Sequence, residues 1–147
     1  MKNRNIYFYS STIITIAVIT LLTTGSSLLT IALDNDKKIP LGTFITWAGI
    51  ISLPLSIYWG IKEMRIPSTK FNKIISKLLK TVIIFAILWV PISYLLAGNL
   101  SFSFGEKETF RGGQTAMKLF WYLSYGTAIG TILCLILYWI SLLFKNR

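Results

Sequence analysis

The chain has 147 residues, of which 54% are apolar and 14% are charged, yet its formal net charge is +10. This composition is that of a chain embedded in a bilayer, and the length leaves no room for a second domain. The chain has no histidine and a single cysteine, Cys134, which excludes an internal disulfide and paired-cysteine redox chemistry. A basic chain also raises the question of nucleic acid, but these basic residues flank apolar segments. Attraction to anionic head groups accounts for them there, so we expect membrane lipids and no nucleic acid as partners.

Four apolar segments follow one another along the chain, at about 6–33, 41–61, 78–98 and 119–144. Each reaches the roughly 20 residues that cross about 30 Å of hydrocarbon as a helix. The sequence therefore predicts an all-α membrane protein, a four-transmembrane-helix bundle that forms one domain over residues 1–147.

The loops differ in charge. The N-terminus, the loop between the second and third segments and the C-terminus hold ten of the fifteen basic residues and one acid, Glu63. The other two loops are nearly neutral. Because cytoplasmic loops carry the excess of Lys and Arg, we expect both termini in the cytoplasm. An alternative interpretation is a secretory signal that is cleaved near Thr30, Ile31 and Ala32, which would leave three spans.

The first segment is rich in hydroxyl side chains, and five of them fall on one helical stripe: Thr20, Thr23, Thr24, Ser27 and Thr30. Small hydroxyl residues allow close helix approach. We expect a packed face here, with a polar permeation path as the alternative.

Small residues recur at intervals of four in the second and fourth segments. These two ridges consist of Ala48, Ser52, Ser56 and Gly60, and of Gly126 and Gly130. Because apolar helices in lipid associate through close van der Waals contact, such ridges are typical of helix-packing or partner-binding surfaces. Spacing leaves open whether the covering helix belongs to this chain, to a second copy or to another protein.

Two prolines, Pro54 and Pro91, lie inside the second and third segments in similar tetrapeptides. Each removes a backbone donor, and we expect each to kink its helix. Paired interruptions also occur at the substrate sites of some transporters, which keeps a transport role open.

The inner loop predicts a cytoplasmic amphipathic helix before the third span. One face carries four lysines that we expect to contact lipid head groups: Lys70, Lys73, Lys77 and Lys80. The opposite face carries Phe71, Ile74, Ile75, Leu78 and Leu79. This pattern favours a helix that lies along the membrane surface and then turns into the span, with docking of a cytoplasmic partner as the alternative.

The second outer loop, residues 100–114, alternates apolar and polar residues and predicts a short outer β-hairpin. Its aromatic patch of Phe102, Phe104 and Phe110, beside Arg111, would either cap the bundle or recognise a partner.

No ionisable residue lies in the central part of any apolar segment. Proton relays, ion coupling and voltage sensing rely on such residues, and haem, zinc or iron sites need His, Cys or carboxylate clusters. We therefore expect no enzyme, no catalytic residue, no cofactor and no metal.

In layout, size and charge the whole chain resembles the immunity proteins that protect bacteria from pore-forming colicins. The resemblance implies an integral protein of the bacterial cytoplasmic (inner) membrane that binds toxin helices in the bilayer. Its alternatives are an accessory subunit of a larger membrane complex and a small oligomeric transporter or channel. All three imply a membrane-protein partner or self-association.

Overall fold

The computed structural model describes residues 2–33, 39–101 and 110–145, and within these ranges it is all helical apart from one isolated antiparallel bridge between Ala32 and Pro40. The α-helices are α1 (Lys2–Thr23), α2 (Leu41–Gly60), α3 (Lys62–Arg65), α4 (Lys70–Ile87), α5 (Trp89–Ala97) and α6 (Gly113–Lys145), with a 3-10 helix at Ser27–Thr30.

Three of these helices are long and apolar enough to cross a membrane: Arg4–Thr23, Leu41–Gly60 and Gly113–Leu143. Helices α4 and α5 pass the same test together, but they are bent by 50° at the break between them. The predicted all-α fold is confirmed, and the apolar helices are compatible with the predicted membrane protein. A fourth span depends on whether the bent pair crosses as one unit.

The first helix is shorter than the predicted segment of 6–33, because it ends at Thr23. Gly25 takes a left-handed conformation with φ of 60°. The Ser26 N–H donates to the Leu21 carbonyl and the Gly25 N–H to the Leu22 carbonyl, which is the Schellman arrangement that closes helix C-termini. The 22 residues of α1 rise about 33 Å, close to the thickness of the hydrocarbon.

The predicted turn from an inner helix into the third span at Leu78 is wrong, because Lys70–Ile87 is one uninterrupted helix. It begins where the Thr69 hydroxyl accepts the Asn72 N–H at 3.1 Å, and no glycine or proline interrupts it before Ile87. The four lysines are exposed, as predicted, but the predicted apolar face is divided. Ile75 and Leu79 are buried in the bundle, whereas Phe71, Ile74 and Leu78 are exposed.

The break between α4 and α5 has an identifiable cause. Pro91 has no N–H to donate to the Ile87 carbonyl four residues earlier, and the chain bends at Leu88. The indole N–H of Trp47 on α2 lies 3.1 Å from the carbonyl oxygens of both Ala86 and Ile87. The kink expected at Pro91 is therefore present, and Trp47 of a neighbouring helix donates to the carbonyls at the break. By contrast, α2 continues as one helix through Pro54.

Two clusters hold the bundle together. The Met64 cluster joins α3, α4 and α6 through Met64, Ile75, Leu79 and Cys134. The Trp89 cluster, at the other end, joins α5 and α6 through Trp89, Ala97 and Phe120. Between these two levels α4 and α6 run side by side.

Hydrogen bonds reinforce each cluster. The Ser76 hydroxyl donates to the Met64 carbonyl at 2.6 Å, and the indole N–H of Trp89 donates to the Ser124 hydroxyl at 2.8 Å. Because such bonds link different helices, they fix how the helices face one another.

Replacing Trp47 with Phe keeps an aromatic ring but removes the donor to the break. We expect the free energy of unfolding in detergent to fall by about 1 kcal/mol, since the carbonyls of Ala86 and Ile87 lose a donor. Thermal unfolding followed by circular dichroism measures the effect. The matched control is Trp139→Phe, because Trp139 is 59% exposed, and an equal loss in both variants would contradict this role of Trp47.

Candidate helix-binding surfaces

Helix α1 covers one side of the predicted α2 ridge. Ser52 is buried, and its hydroxyl oxygen lies 3.0 Å from the hydroxyl oxygen of Thr15 on α1. A Cβ atom on Gly60 would lie 2.8 Å from the ring of Phe8. These members of the ridge therefore serve packing within the chain.

Helix α1 also packs tightly against a residue of α2 outside the predicted ridge, Gly49. A Cβ atom there would lie only 2.5 Å from Cγ1 of Val18. Gly49 lies three residues before Ser52, so helical spacing of three as well as four would have included it. The remaining ridge members, Ala48 and Ser56, are exposed and half-buried, because they lie beside this contact.

The α6 ridge is partly covered by α4. A Cβ atom on Gly130 would lie 3.3 Å from Cγ2 of Val82, which is a close contact with this chain's own helix. Gly126, one turn away, is exposed, and no atom outside its own neighbourhood lies within 4 Å of a Cβ atom placed there.

Gly126 lies in a groove between α4 and α6, which we call the α4/α6 groove. Its volume is about 190 Å³. Its lining residues are Val82, Phe85, Tyr122, Leu123, Gly126 and Thr127. The groove is predominantly apolar, and no lining residue carries a charge.

A second groove runs between α1 and α2, on the flank where Ala48 is exposed, and we call it the α1/α2 groove. Its volume is about 320 Å³. It is lined by Tyr7, Ser10, Ser11, Ile14, Ala48, Ile51, Ser52, Leu55 and Trp59. Sequence reasoning missed this groove, because α1 residues spaced as Tyr7, Ser10, Ser11 and Ile14 do not stand out from the surrounding apolar stretch.

The hydroxyl stripe predicted for the first segment does not form a packed face at the end of α1. Thr20, Thr23 and Thr24 are exposed, and each donates its hydroxyl hydrogen to a carbonyl of its own helix. The hydroxyl residues that α1 buries are Ser11 and Thr15. The packed side of α1 therefore lies elsewhere than predicted.

The outer-loop patch is described only in part, because Phe102, Phe104 and the turn of the predicted hairpin lie outside the described residues. Phe110 is half-buried, with its ring centroid 5.3 Å from that of Phe120. Arg111 is exposed, and its side chain lies across Gly98, which has φ of 74°. Phe110 therefore packs on the Trp89 cluster, as expected for capping of the bundle.

The lysine face carries no described acidic partner. Glu63, the acid on the same loop, accepts hydrogen bonds from the Ser68 N–H at 2.7 Å, the Ser68 hydroxyl and the Asn72 side-chain amide at 3.1 Å. These bonds fix the chain between α3 and α4. Lys70, Lys73, Lys77 and Lys80 remain exposed on α4, where head groups could reach them.

Among the described residues, no group of three or more His, Cys, Asp or Glu side chains could hold a metal ion. The expectations of no cofactor and no catalysis stay predictions. The described residues bring together a set of helix-packing surfaces, and the α4/α6 and α1/α2 grooves are open parts of them.

Alanine substitutions at two different glycines distinguish a packed position from an open one. We expect Gly49→Ala to lower the thermal stability in detergent, because its Cβ overlaps Val18. Gly126→Ala is expected to raise it slightly, since Ala is favoured over Gly in a helix by about 1 kcal/mol. Parallel melting curves check this, and equal shifts for the two variants would show that α1 does not approach α2 at Gly49.

No protein-family model, no curated protein and no solved structure matches this chain. Function is therefore inferred from the helices, the α4/α6 and α1/α2 grooves and the distribution of charge.

Proposed function

We propose that this chain is a four-span protein of the bacterial cytoplasmic membrane, with both termini in the cytoplasm, that binds a transmembrane helix of another protein and is not an enzyme. The charge difference between its loops supports the orientation. The bent pair of α4 and α5 supplies the third span, with α1, α2 and α6 as the others.

The dimensions of the bent pair support its crossing as one unit. Helices α4 and α5 rise about 27 Å and 14 Å, and with the 50° bend between them the pair spans about 37 Å from end to end, which exceeds the roughly 30 Å of hydrocarbon. The lysines in the first turns of α4 then lie near the head groups, and their long apolar stems allow the ammonium groups to reach the surface.

The open position at Gly126 carries the proposal of helix recognition. Helices in lipid associate where small residues let two backbones approach closely. The α2 ridge is occupied by α1 at Ser52 and Gly60, and Gly130 is covered by Val82. Gly126 is the ridge glycine that stays exposed with open space above it, and it lies in an uncharged groove suited to an apolar helix.

The resemblance to immunity proteins favours a helix of a pore-forming bacteriocin as the partner. Binding of that kind needs no catalytic group, only a surface that competes for a toxin helix in the bilayer. An accessory subunit of a larger complex would use the same surface with a permanent partner, so the identity of the recovered partner distinguishes the two.

Transport has less support. The exposed hydroxyls of Thr20, Thr23 and Thr24 donate to carbonyls of their own helix. Their hydrogens are therefore engaged and do not solvate a permeating solute.

The test of helix recognition is the substitution Gly126→Leu, whose Cβ atom meets no neighbour within 4 Å and whose side chain fills the α4/α6 groove. Tagged protein is recovered from its native cells in mild detergent, and copurifying proteins are identified by mass spectrometry. We expect a stoichiometric membrane partner with the native chain and a loss of about tenfold or more with the variant, since excluding a helix from close contact costs more than 1.4 kcal/mol. Ala17→Leu is the matched control, because Ala17 is exposed on α1 and lines neither groove.

The same cells are challenged with neighbouring or co-encoded pore-forming bacteriocins. Protection that disappears with Gly126→Leu supports immunity, whereas a copurifying complex without protection supports an accessory subunit. Recovery of the chain alone, together with full toxin sensitivity, would contradict helix recognition.

The orientation is tested with single cysteines at two exposed positions. Cys134 is 4% exposed and gives a low background with a membrane-impermeant maleimide. We expect Gln114→Cys to react in intact spheroplasts and Ile66→Cys only after lysis, because the basic loop lies inside. Labelling of Ile66→Cys in intact spheroplasts would overturn the orientation.

A further inference from the structure

The α1/α2 groove has features that the helix-binding proposal does not use. It is the larger of the two grooves, at about 320 Å³ against about 190 Å³. Its volume lies at the small end of the range for ligand pockets.

Small residues form the floor of this groove: Ser10, Ser11, Ala48 and Ser52. The buried hydroxyls are already engaged. Ser11 donates to the Tyr7 carbonyl at 2.8 Å, and Ser52 shares a hydrogen bond with Thr15. The walls are apolar, with Ile14, Ile51 and Leu55. A surface with few free polar groups favours an apolar chain as its occupant.

Two aromatic residues of the groove lining, Tyr7 and Trp59, lie near a cation. The rings of Tyr7 and Trp59 lie 5.1 Å apart, and the guanidinium carbon of Arg65 lies 5.9 Å from the centroid of the Trp59 ring. The Nε of Arg65 is buried and has no hydrogen-bond acceptor among the described residues. Arg4, half-buried on α1, lies three residues before Tyr7 and thus on the same helix face.

We propose that the α1/α2 groove binds one anionic phospholipid, with an acyl chain along Ala48 and Ser52 and the phosphate between Arg65 and Arg4. A guanidinium presents a fork of donors that matches a phosphate, and it stacks on aromatic rings at the same time. The apolar lining then contacts the acyl chain, and the two arginines contact the phosphate. This site rests on the membrane placement proposed above but not on recognition of a partner helix.

The charge near the groove selects the head group, and the groove itself holds the acyl chain. A zwitterionic lipid of the same chain length fits the groove but brings a cationic group close to Arg65. Anionic and zwitterionic lipids with identical acyl chains therefore separate the two contributions.

The experiment measures binding of the first lipid to the full chain in detergent by native mass spectrometry, with phosphatidylglycerol and phosphatidylcholine of identical acyl chains. We expect phosphatidylglycerol to bind roughly tenfold more tightly, because both lipids carry a phosphate but only phosphatidylcholine adds a cationic choline group, which Arg65 repels. Arg65→Gln is expected to remove most of this preference, and Arg65→Lys to restore part of it. Lys62→Gln is the matched control, because Lys62 is an exposed cation on the same short helix.

A second pair of variants tests the groove independently of charge. Ala48 is exposed at the groove floor, so Ala48→Leu fills the groove without disturbing the core. We expect it to weaken both lipids alike, while Ala17→Leu binds both as the native chain does. This pair decides the proposal even if Arg65→Gln fails to fold.

Three results would overturn the site: equal affinity of the native chain for the two lipids, an equal effect of Lys62→Gln and Arg65→Gln, or unchanged binding by Ala48→Leu. Gly126→Leu is expected to bind phosphatidylglycerol normally. A chain that binds this lipid but recovers no protein partner would therefore contradict helix recognition and leave the lipid site standing.

Discussion

A backbone that lies in hydrocarbon must find all its hydrogen bonds within the protein, because lipid offers no donors or acceptors. This constraint explains the contact on which the bend between α4 and α5 depends. Pro91 leaves the Ile87 carbonyl without its usual donor, and the Trp47 indole lies 3.1 Å from that oxygen and from the Ala86 oxygen. The bend brings Trp89 against Ser124 of α6. One side chain of α2 thus helps to set the direction of α5 and the place of the Trp89 cluster.

The second constraint is that apolar side chains gain little by leaving lipid for one another, so helix association depends on how closely backbones approach. α1 packs mainly against α2, and the contact is tight where α2 has no side chain. Val18 occupies the space above Gly49, and Phe8 the space above Gly60. The same logic gives α6 two different surfaces, since Gly130 is filled by Val82 and Gly126 is left open.

The sequence predicted the elements whose ends coincide with charge or turn signals. The segments at 41–61 and 119–144 correspond to α2 and α6, and the exposed lysine face of α4 was also predicted. The end of α1 was missed, because no charge follows Thr23 until Asp34 and the break depends on the conformation of Gly25. The turn at Leu78 was predicted from a change in hydropathy, but helix geometry continues until Pro91 removes a donor. Spacing likewise identified both small-residue ridges, but it did not indicate which residues of each ridge pack against a neighbouring helix.

The two grooves differ in the property that selects an occupant. The α4/α6 groove is bounded by Phe85 and Tyr122 and has no cation in its lining, so nothing in it favours an anionic head group over an apolar helix. The α1/α2 groove is lined by Trp59, and the guanidinium carbon of Arg65 lies 5.9 Å from the centroid of that ring. Because an ion at the edge of an apolar groove lacks full hydration, its preference for an anionic partner is stronger than that of a solvated surface lysine. The two proposals therefore rest on different properties of one small bundle: a cation near the α1/α2 groove for the lipid, and an uncharged α4/α6 groove for the partner helix.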